Sequence, residues 1–194
     1  EVLRRALVVL ARLNRWFGSR RMLASRVRPG RLLDVATGAA DIPAYLHERG
    51  IARTATGIEL SSAVLSLAKE LSRGVTLAKA DALRLPFADH AFDTATAHLF
   101  FHHLSEDECV SVLREMARVA KRVVVLDLER SRLLYAFLWF ILLFSGNAVS
   151  RHDGPLSVRR AFTKREIERM AKEAGLRATV SRAGPYRWVL VGDT

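Results

Sequence analysis

The chain repeats one pattern: a short apolar run, a turn, then an amphipathic helix. The clearest run is Arg122–Leu128 (RVVVLDL), whose near-continuous apolar character suits only a strand covered on both faces. Arg31–Ala36 (RLLDVA), Ala52–Glu59, Val75–Ala80 and Ala91–Ala97 read as earlier strands. Helices are expected from Ile42 to Arg49, Ser61 to Leu71 and Ser105 to Val119, the last opened by a capping box at Ser105 and Glu108. Alternation of this kind predicts an α/β domain, a Rossmann-like doubly wound sheet that is mostly parallel. Right-handed crossovers then place a ligand crevice at the carboxyl ends of the strands, so the residues just past each strand are the ones to examine.

The segments around this core are of other kinds. Residues 1–28 hold a basic amphipathic helix, expected from Glu1 to Leu23, with Leu3, Leu7, Leu10, Leu13 and Phe17 at helical spacing before a break at Pro29-Gly30. Residues 130–160 form an insert whose Leu133–Phe144 stretch (LLYAFLWFILLF) falls short of the roughly 20 apolar residues that cross a bilayer. In residues 161–194, Thr163 with Glu166 begins a helix that Gly175 stops. Thr179–Gly192 then reads as an antiparallel hairpin turning at Gly184-Pro185. No composition break divides the 194 residues, and a single domain is expected with a core spanning 31–128.

The turn after the first strand reads Asp34-Val35-Ala36-Thr37-Gly38-Ala39-Ala40-Asp41. Gly38 lets the backbone approach a ligand, and small Ala39 and Ala40 keep the wall low. The loop enters a helix, whose first N–H groups are free. The three-glycine dinucleotide fingerprint is absent, since Ala36 and Ala40 stand where glycines would be. Asp34 adds negative charge beside the loop, which disfavours a pyrophosphate and suits a cationic ligand. Glu59 ends the second strand about 20 residues after the loop, the spacing at which a carboxylate accepts from both hydroxyls of a ribose. Asp81 follows the third strand, where it can accept from an adenine amino group. The N–H after it can meet a ring nitrogen, and Leu83 can cover the ring.

Taken together, Asp34–Asp41, Glu59, Asp81, Leu85-Pro86-Phe87, Phe92-Asp93 and Phe101-His102-His103-Leu104 stand in register with class I S-adenosylmethionine (SAM)-dependent methyltransferases. The chain most resembles the ubiquinone/menaquinone-biosynthesis type and its small-molecule relatives, over about residues 31–128. The resemblance implies that Asp34, Ala36, Thr37, Gly38 and Asp41 surround the methionine part of SAM. It assigns Glu59 and Leu60 to the ribose, and Asp81, Ala82 and Leu83 to the adenine. His98, past the fourth strand, would border the methionine end. S-adenosylhomocysteine (SAH) would be the product. One departure is the absence of Pro-Gly-Gly before the fifth strand, where Ala120-Lys121-Arg122 stands.

Transfer to a hydroxyl would need a base with a pKa near 7, which suits histidine. His98 and His152 are the catalytic candidates, with His152-Asp153 open to reading as a plain turn and His102-His103 as packing or capping. Family members of this kind place an N-terminal helix and an insertion after the fifth strand over the acceptor as a lid. The apolar side chains here would favour a small lipophilic acceptor: quinone-like, polyketide-like or another secondary metabolite. Arg130 and Arg132 beside the insert suggest contact with a membrane surface, and a dimer is an alternative cover for its apolar side chains.

The net charge of +11 suits an anionic partner. An RNA methyltransferase is the alternative enzyme, though no RNA-binding module or Asn-Pro-Pro-Tyr signature is present and nucleic acid is not the expected substrate. A catalytically silent SAM-binding subunit is the non-enzymatic alternative. The single Cys109 excludes a disulfide framework and a cysteine-based zinc site, and no metal is expected. With no signal-peptide pattern, the expected place is a reducing cytoplasm, peripheral at the membrane if the insert meets lipid.

Overall fold

The computed structural model describes residues 2–131 and 158–194. Seven strands form one sheet in the order β3-β2-β1-β4-β5-β7-β6. They are β1 (Gly30–Val35), β2 (Ala52–Glu59), β3 (Thr76–Lys79), β4 (Thr94–His98), β5 (Arg122–Leu128), β6 (Arg177–Arg182) and β7 (Arg187–Asp193). The first five pair in parallel, while β7 runs antiparallel between β5 and β6. The expected α/β sheet with its C-terminal hairpin is therefore present. Two strands are shorter than the apolar pattern suggested: β3 begins one residue later and β4 starts only at Thr94.

Helices α3 (Asp41–Glu48), α4 (Ser62–Leu71) and α5 (Glu106–Val119) make the crossovers, and α6 (Lys164–Glu173) precedes the hairpin. The link from β3 to β4 is a helix-free loop. Both anticipated capping boxes are formed, Ser105 with Glu108 and Thr163 with Glu166.

In β5 the residues Val123, Val124, Val125 and Leu126 are fully buried. Val123 and Val125 join the core under α5 and α6, and Val124 and Leu126 join the one under the Ser19–Ala24 helix and α3. Burial on both faces is what made this strand apolar throughout. The chain reverses its winding between β1 and β4, and that switch point positions the crevice.

The N-terminal segment differs from the single helix expected. It is two helices, α1 (Val2–Trp16) and α2 (Ser19–Ala24), parted at Gly18, whose φ of 73° ends the first. Helix α1 runs beside α3 and α4 instead of across the crevice mouth. Arg4 pairs with Glu70 near the end of α4 at 3.6 Å, and Asn14 bonds Asp41 at the start of α3. Only its C-terminal end thus reaches the crevice edge. The expected partner in a lid, Leu133–Phe144, lies outside the described residues, as do Arg132, His152 and Asp153.

Candidate functional site

At the carboxyl edge of β1–β3 lies a cavity of about 200 Å3. Ala36, Glu59, Leu60, Asp81, Ala82 and Leu83 are on its wall, so residues from three separate turns meet as the sequence suggested. Ile58, Ala80, Phe100, Leu104, Glu108 and Val112 complete it. Those had not been assigned, although the Phe101–Leu104 motif was the available signal.

Glu59 is the hinge of this wall. Its Oε2 accepts the Gly38 N–H at 3.3 Å and its Oε1 accepts the Ser61 N–H at 3.0 Å, so one carboxylate joins the loop after β1 to the start of α4. Asp81 accepts the Leu83 N–H at 2.9 Å, which fixes the turn that presents both residues. In front of Gly38 a Cβ would meet nothing within 4 Å, so the loop faces open space there. Gly57 is glycine for another reason: a Cβ on it would lie 2.9 Å from the Thr37 side chain. That close approach lets the loop settle against β2.

The loop has a cost. Ala36 and Ala40, at the positions a glycine fingerprint would fill, have φ of 53° and 54°. Left-handed backbone is unfavourable by about 1–2 kcal/mol for a non-glycine residue.

The acidic residues flanking the loop do not stand where the sequence pattern suggested. The Asp34 carboxylate turns inward, accepting the Thr37 hydroxyl at 2.7 Å and the Thr96 hydroxyl at 2.6 Å. Burial raises it to about 7 despite those bonds. It thus holds the loop to β4 and is not on the cavity wall, and the hydroxyl of Thr37 is used in the same contact. Asp41 likewise faces away, bonded to Asn14 at 3.2 Å and to Arg20 at 3.1 Å. Burial pushes its carboxyl up, and Arg20 opposes that. Asp41 lines a second cavity, about 900 Å3, between α1 and the outer side of α3 and α4.

His98 is the last residue of β4. Its Nε2 is shielded from solvent and has no partner among the described residues. Burial drives its imidazole down to about 4. Burial thus favours the neutral form of the ring and sets it below the range of the near-neutral base that the sequence suggested.

His102 proves to be tied down. Its Nδ1 lies 2.7 Å from Asp127 Oδ1, and Asp127 Oδ2 accepts the Phe101 N–H at 2.7 Å. This buried pair clamps the 3-10 turn Phe101–His103 onto the end of β5 and so positions Phe100 at the cavity. Arg130, expected beside the insert as a membrane contact, pairs with Glu166. Among the described residues no group of histidine, cysteine and acidic side chains could hold a metal.

A family described as a methyltransferase domain matches residues 33–126. The demethylmenaquinone methyltransferase of Thermotoga maritima is 32% identical over 168 residues, covering 79% of this chain and 72% of that protein. The ubiquinone/menaquinone biosynthesis C-methyltransferase of Desulfotalea psychrophila is 35% identical over 118 residues, or 57% of this chain and 47% of that one. Among solved structures, a SAM-dependent methyltransferase from Aquifex aeolicus superposes with a TM-score of 0.64 at 20% identity, over 93% of this chain and 87% of that one.

Proposed function

Since this chain belongs to the SAM-dependent methyltransferases, we propose that it methylates a ring carbon of a quinone-like, lipophilic acceptor in its reduced form. The observation that carries this reading is the reach of the likeness to the Thermotoga protein: 168 residues, well beyond the matched 33–126.

The residues present fit the cofactor. Glu59 offers carboxylate oxygens to ribose hydroxyls, Asp81 with the backbone N–H of Ala82 offers the edge contacts an adenine needs, and Leu83 offers cover for the ring. The open side of Gly38 leaves room for the methionine part. Bound SAM supplies an electrophilic methyl group on a sulfonium. The protein's own contribution is positioning, which is the main requirement of an in-line displacement. His98 takes part as a neutral hydrogen-bond partner of an acceptor hydroxyl, because its shielded Nε2 calls for a partner that the described residues do not supply. Aromatic Phe100 on the wall favours a flat ring.

The test is methyl transfer from isotope-labelled SAM to a panel of naphthoquinols and benzoquinols, with the labelled atom located by mass spectrometry. A carbon-bound methyl group on a quinol is expected. His98→Ala should lower kcat about 10- to 100-fold and leave SAH affinity nearly unchanged. Labelling of RNA with no labelling of quinols would refute the acceptor class.

A further inference from the structure

Helix α1 presents an unusual surface. Its inner stripe, Leu7, Val8, Ala11 and Asn14, faces the domain. Val9, Leu10, Leu13, Trp16 and, just past the helix, Phe17 are all exposed, with Leu13 and Trp16 at the rim of the cavity beside α3 and α4. Trp16 is 87% exposed and Phe17 61%. Large aromatic side chains so exposed, at the end of the helix nearest the crevice, form a continuous apolar face.

Cations border that face. Arg15, Trp16, Arg20, Arg21, Tyr45 and Arg49 line a cleft of about 360 Å3 where the α1–α2 turn meets α3. Arg20 is engaged by Asp41, and Arg20 and Arg49 lie over the Tyr45 ring at 5.8 and 5.3 Å. Arg15, Arg21 and Arg49 make no ion pair with any described residue. A cluster of unneutralised guanidinium groups next to exposed tryptophan and phenylalanine matches one kind of surface: anionic headgroups above hydrocarbon.

We propose that α1 and the α1–α2 turn dock this protein on a membrane surface rich in anionic phospholipid, with headgroup phosphates in the arginine cleft and Trp16 and Phe17 at the acyl boundary. A second copy of the chain would set these arginines against each other. A nucleic acid would leave the apolar face in water. The inference deepens the lipophilic-acceptor reading, because docking there brings the crevice edge to the phase in which such an acceptor dissolves.

The test is co-sedimentation of the full chain with vesicles of phosphatidylglycerol and phosphatidylcholine, and with phosphatidylcholine alone. No quinone is included, so a negative result leaves the methylation reading intact. Binding should require phosphatidylglycerol and weaken as salt rises. Each arginine near the surface contributes about fivefold, so Arg15→Gln with Arg21→Gln and Arg49→Gln should weaken binding on the order of a hundredfold. Leu13→Gln with Phe17→Ser should weaken it at least tenfold. SAH titration of both variants should match the parent, which shows that they fold.

Equal binding to both vesicle types, or variants that bind like the parent, would overturn the proposal. So would variants whose only loss is binding of a single-stranded oligonucleotide. A parent that is a dimer and becomes monomeric in the apolar variant, with vesicle binding unchanged, would also overturn it. The same holds if that variant loses SAH binding while still sedimenting with vesicles, since the face would then be internal.

Discussion

The Asp34 carboxylate is buried at the end of β1 between two threonine hydroxyls. Its place at the end of β1 suggested a carboxylate offered to ligand, yet its partners are the hydroxyls of Thr37 and Thr96. Thr96 is 62 residues away on β4, and no local pattern announces that contact. The consequence is a pH effect. Asp34 is raised by burial from its ordinary 3.8 to about 7. A raised folded-state pKa means that the folded protein holds this proton more tightly than the unfolded one. The resulting stability is fully present below about 4 and is lost as pH rises through about 7. His98, lowered to about 4, acts in the opposite sense between there and its ordinary 6.5. The prediction is therefore for a difference that cancels His98: the urea midpoint of the parent minus that of Asp34→Asn should fall steadily from about pH 4 to about pH 8. A constant difference would mean that Asp34 is ionised throughout. Asp93, drawn down to about 2 chiefly by the Arg31 N–H, acts only below this window.

Among the elements, the contrast lies between those defined by burial and those defined by pairing. Strand β5 was legible because both its faces are covered, and α5 and α6 because their capping boxes are local in sequence. The placement of α1 was not, because it is set by polar contacts from far along the chain. Asn14 and Arg20 reach Asp41 over 27 and 21 residues. Both partners of the Arg20–Asp41 pair are largely shielded, so removing the arginine leaves a carboxylate short of donors. Arg20→Gln is expected to cost about 1–2 kcal/mol. The loss should appear as faster amide exchange in α1 and α2, with β5 unchanged. Equal exchange in α1 of both proteins would show that the latch does not hold it.

On the scale of the whole molecule, the sheet order, the C-terminal hairpin and the convergence of Glu59, Asp81 and the Ala36 turn follow from the strand–helix alternation and the handedness of its crossovers. What lies on top of the sheet did not follow. Phe100 reaches the cavity because Asp127 on β5 clamps the turn beside it, a contact between elements with no sequence periodicity. The same division runs through function. The residues proposed to hold the cofactor sit at strand ends that topology dictates, whereas the wall contributed by Phe100 and Leu104 depends on side chains placed by tertiary packing. The central claim is that the cavity bounded by Glu59 and Asp81 holds the nucleoside of SAM, and calorimetric titration of SAH tests it most directly. Glu59→Ala should weaken SAH binding by roughly 1.5–3 kcal/mol, about 10- to 150-fold, as bonds to a charged group are lost. SAH binding at the parent's affinity in a folded Glu59→Ala protein would contradict it.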